Sequence, residues 1–522
     1  MFRRHWSGLP ADPEFPDDLE GLRLFINDDD EIRMIDNPDN YFKFHITKND
    51  RWNARHGFSF HEAMQKIIKS RLSDAGFTTV RLPLDTPADK PHVPILTSPN
   101  TATASRVIVL FGETYQPLGC FARRVMNGRG GINRGSVVGL ARALRSQRAS
   151  ATDQTPPGLV VANPGELWWW PEGKHGLTQV DRHRIPLASA VHGGRKHIPE
   201  MNEIPENRNA VEHVKSVFEK VILGDGFVRP DAKIDIITVG DTAGIVETYL
   251  DDDAVLDRLG GRLNSIVILG GTHSSKELKT ERFKQFLRER GRAYIIHRSR
   301  QGNLLAGPSG NPAAAGFTEH GCPVYSAGLK ARYIETLPIE TQELYLAWMQ
   351  EVALQGEAYK NEQTEIFGDT GEEENHTWAE WARENGQEME ELPDHCATCR
   401  VCKGEAKPGY EDTELEPEAS AGDINGSAKE VSTALAESKA NTKTTGVAVI
   451  PGENVLGSDS AGAGPDVEEM KELVEEVEDL RLSRSRGATI ACHTTNDTHS
   501  EHSMPPPILT SPNRDSANIS MQ

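Results

Sequence analysis

The chain has 522 residues and a formal net charge of −21 at pH 7, but residues 361–522 alone carry 12 Lys/Arg and 34 Asp/Glu. The first 360 residues are therefore nearly neutral, at +1, which argues against the broadly basic surface of a nucleic-acid-binding domain. Six scattered cysteines exclude a disulfide scaffold, and the strand-sized apolar runs predict a protein of the nucleus and/or cytoplasm with no membrane segment.

Strands and helices are predicted to alternate between residues 60 and 330. In chain order, strands are predicted at 78–82, 106–112, 158–163, 234–240, 264–271, 292–297 and 322–328. Helices are predicted at 60–76, 136–146, 209–223, after the 264–271 strand and at 340–359, with Ser136 and Asn209 as N-caps. This alternation predicts a doubly wound, mostly parallel α/β sheet covered by helices on both faces.

The acidic C-terminal part is expected to be a long disordered tail. Residues 361–522 contain four aromatics and many acidic or Gly/Ser-rich runs, so they offer little apolar surface to bury. We therefore expect one folded domain, residues 1–360. Within the tail, the apolar spacing at 465–482 fits either a short partner-binding helix or a transient helix. The heptapeptide PILTSPN occurs at 94–100 and again at 507–513, and we have no physical account of the repeat.

The turn after the predicted 234–240 strand resembles the site where many hydrolases hold a nucleophilic serine. Gly240-Asp241-Thr242-Ala243-Gly244 fits G-x-S-x-G except that threonine replaces serine. A β-branched residue tolerates the strained backbone of such an elbow poorly. Gly112 and Glu113 follow the 106–112 strand, where hydrolases place part of an oxyanion hole.

A catalytic partner for Thr242 is harder to find. No aspartate occurs between residues 258 and 368, and the loop AGLKARY after the last predicted strand has no histidine. Two interpretations therefore stay open. The turn is a tight connection made of small residues, or the protein is an ester or acyl hydrolase in which Thr242 or Asp241 reacts with His320 or His273 as base. The acids nearest the strand ends are Glu277 and Glu319.

Three further motifs are candidate binding sites. The glycine-rich loop 127–136 offers free amides that could bind an anion, but it lacks the lysine of a nucleotide-binding loop, and no cofactor is predicted. Three consecutive tryptophans, Trp168, Trp169 and Trp170, suggest an interaction surface or a lid. Direct RNA binding would centre on the arginines in and just before the glycine-rich loop, which are Arg123, Arg124, Arg129 and Arg134.

A metal site in the tail is the weakest of these hypotheses. Cys396, Cys399 and Cys402 follow His395 with metal-like spacing, but a second C-x-x-C pair is missing. An unligated polar segment is the favoured interpretation, and no metal is predicted.

A set of longer motifs adds a family resemblance over about residues 1–330. The motifs are FRRHWSGLPADPEFPDDLEGL, LFINDDDEIRMI, YFKFHITKNDRWN, VPILTSPN, RVIVLFGE, GGINRGS, NPGELWWWPEG, IPENRNAVEHVKSVFE and GCPVYSAG. Together they resemble fungal proteins that carry the Argonaute-binding protein two (Arb two) domain.

That resemblance implies an α/β-hydrolase-like fold used for protein interaction. The founding member of the family belongs to a nuclear Argonaute small-RNA chaperone complex acting in RNA silencing and heterochromatin assembly, and related domains are attached to class II histone deacetylases. The implied partners are therefore Argonaute or deacetylase-associated chromatin proteins. Relatives keep a serine at the elbow, and Thr242 departs from them.

Overall fold

The computed structural model describes residues 8–192 and 195–368, and these contain thirteen strands. The strands are β1 (Leu24–Ile26), β2 (Ile32–Met34), β3 (Thr78–Leu82), β4 (Val93–Thr97), β5 (Arg106–Phe111), β6 (Gly158–Ala162), β7 (Trp168–Trp170), β8 (His175–Leu177), β9 (Lys233–Val239), β10 (Leu263–Leu269), β11 (Gly291–Ile295), β12 (Leu304–Ala306) and β13 (Val324–Ser326).

The helices of the same residues differ widely in length. They are α1 (Asp50–Asp74), α2 (Arg123–Met126), α3 (Gly131–Arg134), α4 (Val137–Leu144), α5 (Pro199–Asn202), α6 (Ala210–Ser216), α7 (Thr242–Leu250), α8 (Asp253–Leu259), α9 (Glu281–Arg290), α10 (Leu337–Glu340) and α11 (Gln342–Gln355). A π-helical stretch, Val217–Ile222, continues α6. In the part of the chain that the structure describes, no helix is long and apolar enough to span a bilayer.

Nine strands form one central sheet in the order β12-β13-β11-β10-β9-β5-β6-β4-β3. The six strands from β13 to β6 are parallel, while β4 runs antiparallel to both β3 and β6 and β12 runs antiparallel to β13. The carboxyl ends of the parallel strands therefore meet at one edge, where a site in such a sheet is expected. The predicted α/β class with a mostly parallel sheet is confirmed.

The sheet is buried between two helical layers, as the apolar runs of its strands require. Alternate residues of one strand point to opposite faces: Ile237 joins the core that contains α1, α4 and α11, and Ile236 joins the core that contains α6, α7 and α9. A third cluster of Phe58, Trp168, Leu177 and Ile185 lies beneath the β7–β8 hairpin.

One fully buried ion pair joins the strands near the amino ends of β5 and β9. The Nε of Arg106 donates to Asp235 at 2.5 Å, and its remaining donors reach the carbonyl oxygens of Arg148 and Met349, each at 3.0 Å. The other oxygen of Asp235 accepts from Asn264 at 2.7 Å. Side chains of β5 and β9 and the backbone of α11 are thus linked through charges that water does not reach.

Several predicted elements change in extent. Helix α1 begins ten residues before the predicted start at 60, because the side chain of Asn49 caps it by accepting from the amides of Arg51 and Trp52. Ser136 and Asn209 are the N-caps of α4 and α6, as predicted. The strands β4 and β12 and the two hairpins, β1–β2 and β7–β8, were not predicted.

The folded domain continues past residue 360. Asn361 donates to the carbonyl oxygen of Gly291 at 2.7 Å, Glu365 accepts from the hydroxyl of Ser309 at 2.9 Å, and the carbonyl oxygen of Gly368 accepts from Asn311 at 2.9 Å. The expectation that disorder begins at residue 361 is corrected for residues 361–368, because polar groups of the domain bind them. The predicted helix at 465–482 and the second PILTSPN copy lie outside the described residues.

Candidate functional site

The elbow at the end of β9 is built around Gly240. Strand β9 ends at Val239 and α7 begins at Thr242, so only Gly240 and Asp241 form the turn between them. Gly240 has a φ of 61°, the left-handed conformation that a glycine adopts readily, whereas Asp241 has an ordinary φ of −64°. The strained position, where a nucleophile would stand, is therefore Gly240, and the expected register with Thr242 at that position is corrected.

The hydroxyl of Thr242 is bound to the backbone beneath the elbow. It donates to the carbonyl oxygen of Val239 at 2.7 Å, and the carbonyl oxygens of Gly112 and Phe111 lie 3.0 and 3.3 Å away. Thr242 is fully buried. A nucleophilic hydroxyl must instead face the substrate and give its proton to a base. Thr242 fastens the start of α7 to the loop after β5.

The mouth of the elbow is covered by side chains from two loops. A Cβ built on Gly240 would lie 2.9 Å from Cγ of Glu113 and 3.2 Å from Cγ2 of Ile334. Ile334 also approaches Gly270, at the end of β10, to within 3.1 Å of the corresponding Cβ position. Ile334 thus packs on the glycines of the elbow. It belongs to the segment after β13, where a hydrolase would carry its histidine.

The space left at the carboxyl ends of β5 and β6 is very small. The cavity there measures about 10 Å³ and is lined by Gly112, Glu113, Gln116, Cys120 and Asn163, among others. A cavity of this size holds about one water molecule, whereas sites for organic ligands measure roughly 300 to 1,000 Å³. The region expected to supply an oxyanion hole is filled by the protein itself.

His273 lies between two carboxylates, Glu247, which was not predicted, and Glu277, which was one of the two candidate acids. Its Nδ1 lies 2.8 Å from the buried Glu247 of α7, and its Nε2 lies 3.9 Å from Glu277. The hydrogen bond to Glu247 raises the pKa of His273. A carboxylate on Nδ1 fixes the orientation of the imidazole, as it does in a catalytic triad, while Nε2 lies towards Glu277. Glu247 was missed, although it interrupts the otherwise apolar start of helix TAGIVETYL.

The other two histidines are buried. His320 is buried with its ring 5.0 Å from that of Phe317, and burial lowers its pKa to about 4. Nδ1 of His297 accepts from the amide of Ser299 at 3.0 Å. Glu319 binds Ser274 and Lys276. The structure thus brings His273 and Glu277 together, but the hydroxyl of Thr242 binds backbone oxygens instead of either group. Asp241 is exposed at the turn.

The three tryptophans form strand β7, and this corrects the expectation of a tryptophan surface. Trp168 packs with Phe58 and is 2% exposed, whereas Trp169 points the opposite way into the core that contains α6 and is 3% exposed. Trp170 is partly buried beside the same cluster as Trp168. Adjacent strand residues alternate in direction, so neighbouring indoles can be buried in two different cores.

The arginine-rich region is also bound internally in part. Arg123 pairs with Asp181 and lies 3.0 Å from Nδ1 of His61, whose pKa is lowered to about 4 by burial, with the charge of Arg123 acting in the same direction. Arg134 pairs with Glu340 at 2.8 Å. Arg124 and Arg129 are exposed. The RNA surface expected around all four arginines therefore loses Arg123 to an internal ion pair.

The glycine-rich loop already binds anions, and they are carboxylates of the chain. The amide of Gly130 donates to Glu31 at 3.2 Å and the amide of Asn133 donates to Asp30 at 2.7 Å. A Cβ on Gly131 would lie 2.2 Å from the carbonyl oxygen of Asp30. The loop thus receives the β1–β2 hairpin rather than a free phosphate.

No group of three His, Cys, Asp or Glu side chains in residues 8–192 and 195–368 is placed to hold a metal ion. The cysteines considered as a weak metal site, Cys396, Cys399 and Cys402, lie outside the described residues.

The fold and this site define a class. The strands of the central sheet can be renumbered 1 to 8 along the chain from β3 to β13, with β12 left out. They then lie in the order 1-2-4-3-5-6-7-8, and the second strand is antiparallel to its neighbours. This is the α/β-hydrolase arrangement. The elbow follows the fifth strand, as it does in that fold.

The chain belongs to the Arb2 domain family, which matches residues 15–301 and confirms the resemblance of the sequence motifs. A solved structure described as "Structure of arylesterase" is similar at 11% sequence identity, with 56% of this chain and 91% of that chain covered and a TM-score of 0.25. Comparison with curated proteins found no match.

Proposed function

We propose that the domain is a non-catalytic, protein-binding member of the Arb2 family that acts in the nucleus and/or cytoplasm within an Argonaute/small-RNA or deacetylase-associated chromatin assembly. The observation that carries the proposal is the elbow itself. Its strained residue is Gly240, Ile334 and Glu113 cover it, and the nearby hydroxyl of Thr242 is bound to backbone. Such a site has no nucleophile at its apex, and side chains of the chain itself lie over the apex.

The alternative is an ester or acyl hydrolase, and Asp241 is the observation that favours it. This carboxylate is exposed at the turn and could in principle form an ester intermediate. His273, whose Nδ1 lies 2.8 Å from Glu247 of the same helix, α7, would be its base.

A labelling and turnover experiment separates the two functions. The full chain is incubated with a fluorophosphonate probe and a panel of p-nitrophenyl esters beside the Thr242→Ala and Asp241→Asn variants. We expect no label, and ester hydrolysis that is the same for all three proteins and for buffer. Turnover by the wild type that falls at least tenfold in either variant would establish the hydrolase.

The assembly is tested separately by purification from cells. A tagged full chain, recovered at physiological salt, is expected to bring down Argonaute with small RNA, or a class II deacetylase, identified by mass spectrometry and RNA sequencing. The same purification after Thr242→Ala is expected to recover the same partners, because the hydroxyl is not at the surface. Recovery of neither set of components would refute the assembly while leaving the absence of catalysis untouched.

A further inference from the structure

The loops at the carboxyl edge of the sheet concentrate positive charge in a domain that is nearly neutral overall. Residues 121–134, 296–303 and 327–340 together contain eight Arg/Lys and two Glu. These loops follow β5, β11 and β13, whose parallel arrangement places their ends at the same edge. These three loops therefore keep an excess of cations after Asp181 neutralises Arg123, although the exposed Asp241 of the elbow lies at the same edge.

Contacts join the three loops into one surface. The guanidinium of Arg124 lies 5.2 Å above the ring of Tyr333, and its Nη1 lies 3.4 Å from the Tyr333 hydroxyl. Arg134 binds Glu340, and Gln301 donates to the carbonyl oxygen of the same Glu340. We call the exposed part of these loops the elbow surface and define it by Arg124, Arg300, Leu329, Lys330, Tyr333 and Ile334.

The elbow surface is apolar as well as basic. Leu329 is 55% exposed, and Tyr333 and Ile334 are each 39% exposed. Ile334 packs over the elbow glycines, and the ring of Tyr333 lies beneath the guanidinium of Arg124. Exposed apolar groups surrounded by cations fit a ligand that carries both carboxylates and large apolar side chains.

Such a ligand follows immediately in the chain. Residues 369–394 contain ten Asp/Glu, one Arg and the two tryptophans Trp378 and Trp381, and they begin directly after Gly368, the last described residue. Fully extended, 26 residues reach up to about 85 Å, whereas a domain of this size has a radius of gyration of about 21 Å. Tethering gives the segment an effective concentration on the order of 1 mM at the surface.

We propose that residues 369–394 bind the elbow surface and compete there with any other acidic ligand. The aliphatic side chains of Leu329 and Ile334 favour a peptide over RNA, because bases stack on aromatic rings and not on branched aliphatic ones. The proposal does not rest on the proposed function, since it concerns the chain's own residues.

Cross-linking tests the contact in the full chain. A zero-length carbodiimide reagent joins lysine to carboxylate, and we expect Lys330 to be linked to glutamates of 369–394. Lys215, exposed on α6 and outside the three loops, is the control and is expected to give no such link. The Lys330 link should fade at 0.5 M salt, where the Debye length is only about 4 Å. Its absence at low salt would overturn the proposal.

Charge neutralisation tests the competition. One full-length variant changes six glutamates of the segment to glutamine, at 372, 373, 374, 380, 384 and 388. A matched control changes six others, at 468, 469, 472, 475, 476 and 478, which alters the net charge equally. We expect the first variant to bind heparin about tenfold more tightly than the control, and the addition of Lys330→Ala with Arg300→Ala to remove the gain.

Two results would contradict the competition. Equal heparin affinity of the two glutamine variants would show that only total charge matters. If the wild type and the segment variant bound a 20-nucleotide single-stranded RNA equally, and both lost affinity on Lys330→Ala with Arg300→Ala, the elbow surface would belong to RNA instead.

Discussion

Asp235→Asn is expected to lower the free energy of unfolding by about 3 to 5 kcal/mol, because it leaves the charge of Arg106 buried without a partner. Both side chains have no exposed area, and Arg106 holds the backbone of α11 against β5. Asparagine has nearly the same shape as aspartate, so the loss reports on charge and not on a cavity. The measurement is urea unfolding of the full chain at pH 7.5.

The double variant Arg106→Met with Asp235→Leu is the control. It removes both charges, so no unpaired ion stays buried, and it is expected to cost less than Asp235→Asn even though two side chains change. If the free energy of unfolding of Asp235→Asn were within about 1 kcal/mol of the wild-type value, Arg106 would have another counter-charge or reach water.

Lowering the pH from 7.5 to 5.0 is expected to destabilise the domain by about 2 kcal/mol through His213 alone. Burial lowers the pKa of His213 to about 3, and its Nε2 must stay unprotonated to accept the amide of Asn163 at 2.9 Å. Below pH 6.5 the unfolded chain binds a proton that the folded chain does not. The stability is thus complete above pH 6.5 and falls as the pH decreases towards 3.

His213→Gln isolates this effect. The variant is expected to be less stable than the wild type at pH 7.5, because Nδ1 of His213 also hydrogen-bonds to Asn207 at 2.8 Å. Between pH 7.5 and 5.0, the free energy of unfolding of the variant should fall by about 2 kcal/mol less than that of the wild type, as measured by urea unfolding. An unchanged loss would mean that His213 binds a proton in the folded protein. The buried His61 and His320, with pKa values of about 4, act in the same direction and remain in both proteins.

The order of helices and strands was largely predictable because it depends on local chemistry. Apolar runs such as Val107 to Phe111 match β5, and Ser136 and Asn209 cap the helices that follow them. Short elements failed for the opposite reason. Three-residue strands such as β12 are too brief for a periodicity, and pairing with β13, which follows a long loop, decides whether they form.

The position of the candidate site in the fold was predictable, but the residues that form and cover it were not. A glycine-rich turn after a buried strand indicated the elbow, and the elbow is there. The residue at its apex was assigned two positions too late, because the motif does not reveal where the strand ends. His273 was named as a base, but its partner Glu247 and the cover formed by Ile334 were not found.

By itself, the sequence determined the class of sheet, the family motifs and the separation of a neutral domain from an acidic C-terminal part, since these follow from composition and from contacts between near neighbours. Only the tertiary structure decided that Gly240 occupies the strained turn, that the hydroxyl of Thr242 donates to a backbone carbonyl, and that Ile334 packs over Gly240. The physical reason is that burial and hydrogen bonding at the elbow involve the loops after β5, β10 and β13, which are distant in sequence and meet only when the sheet is assembled.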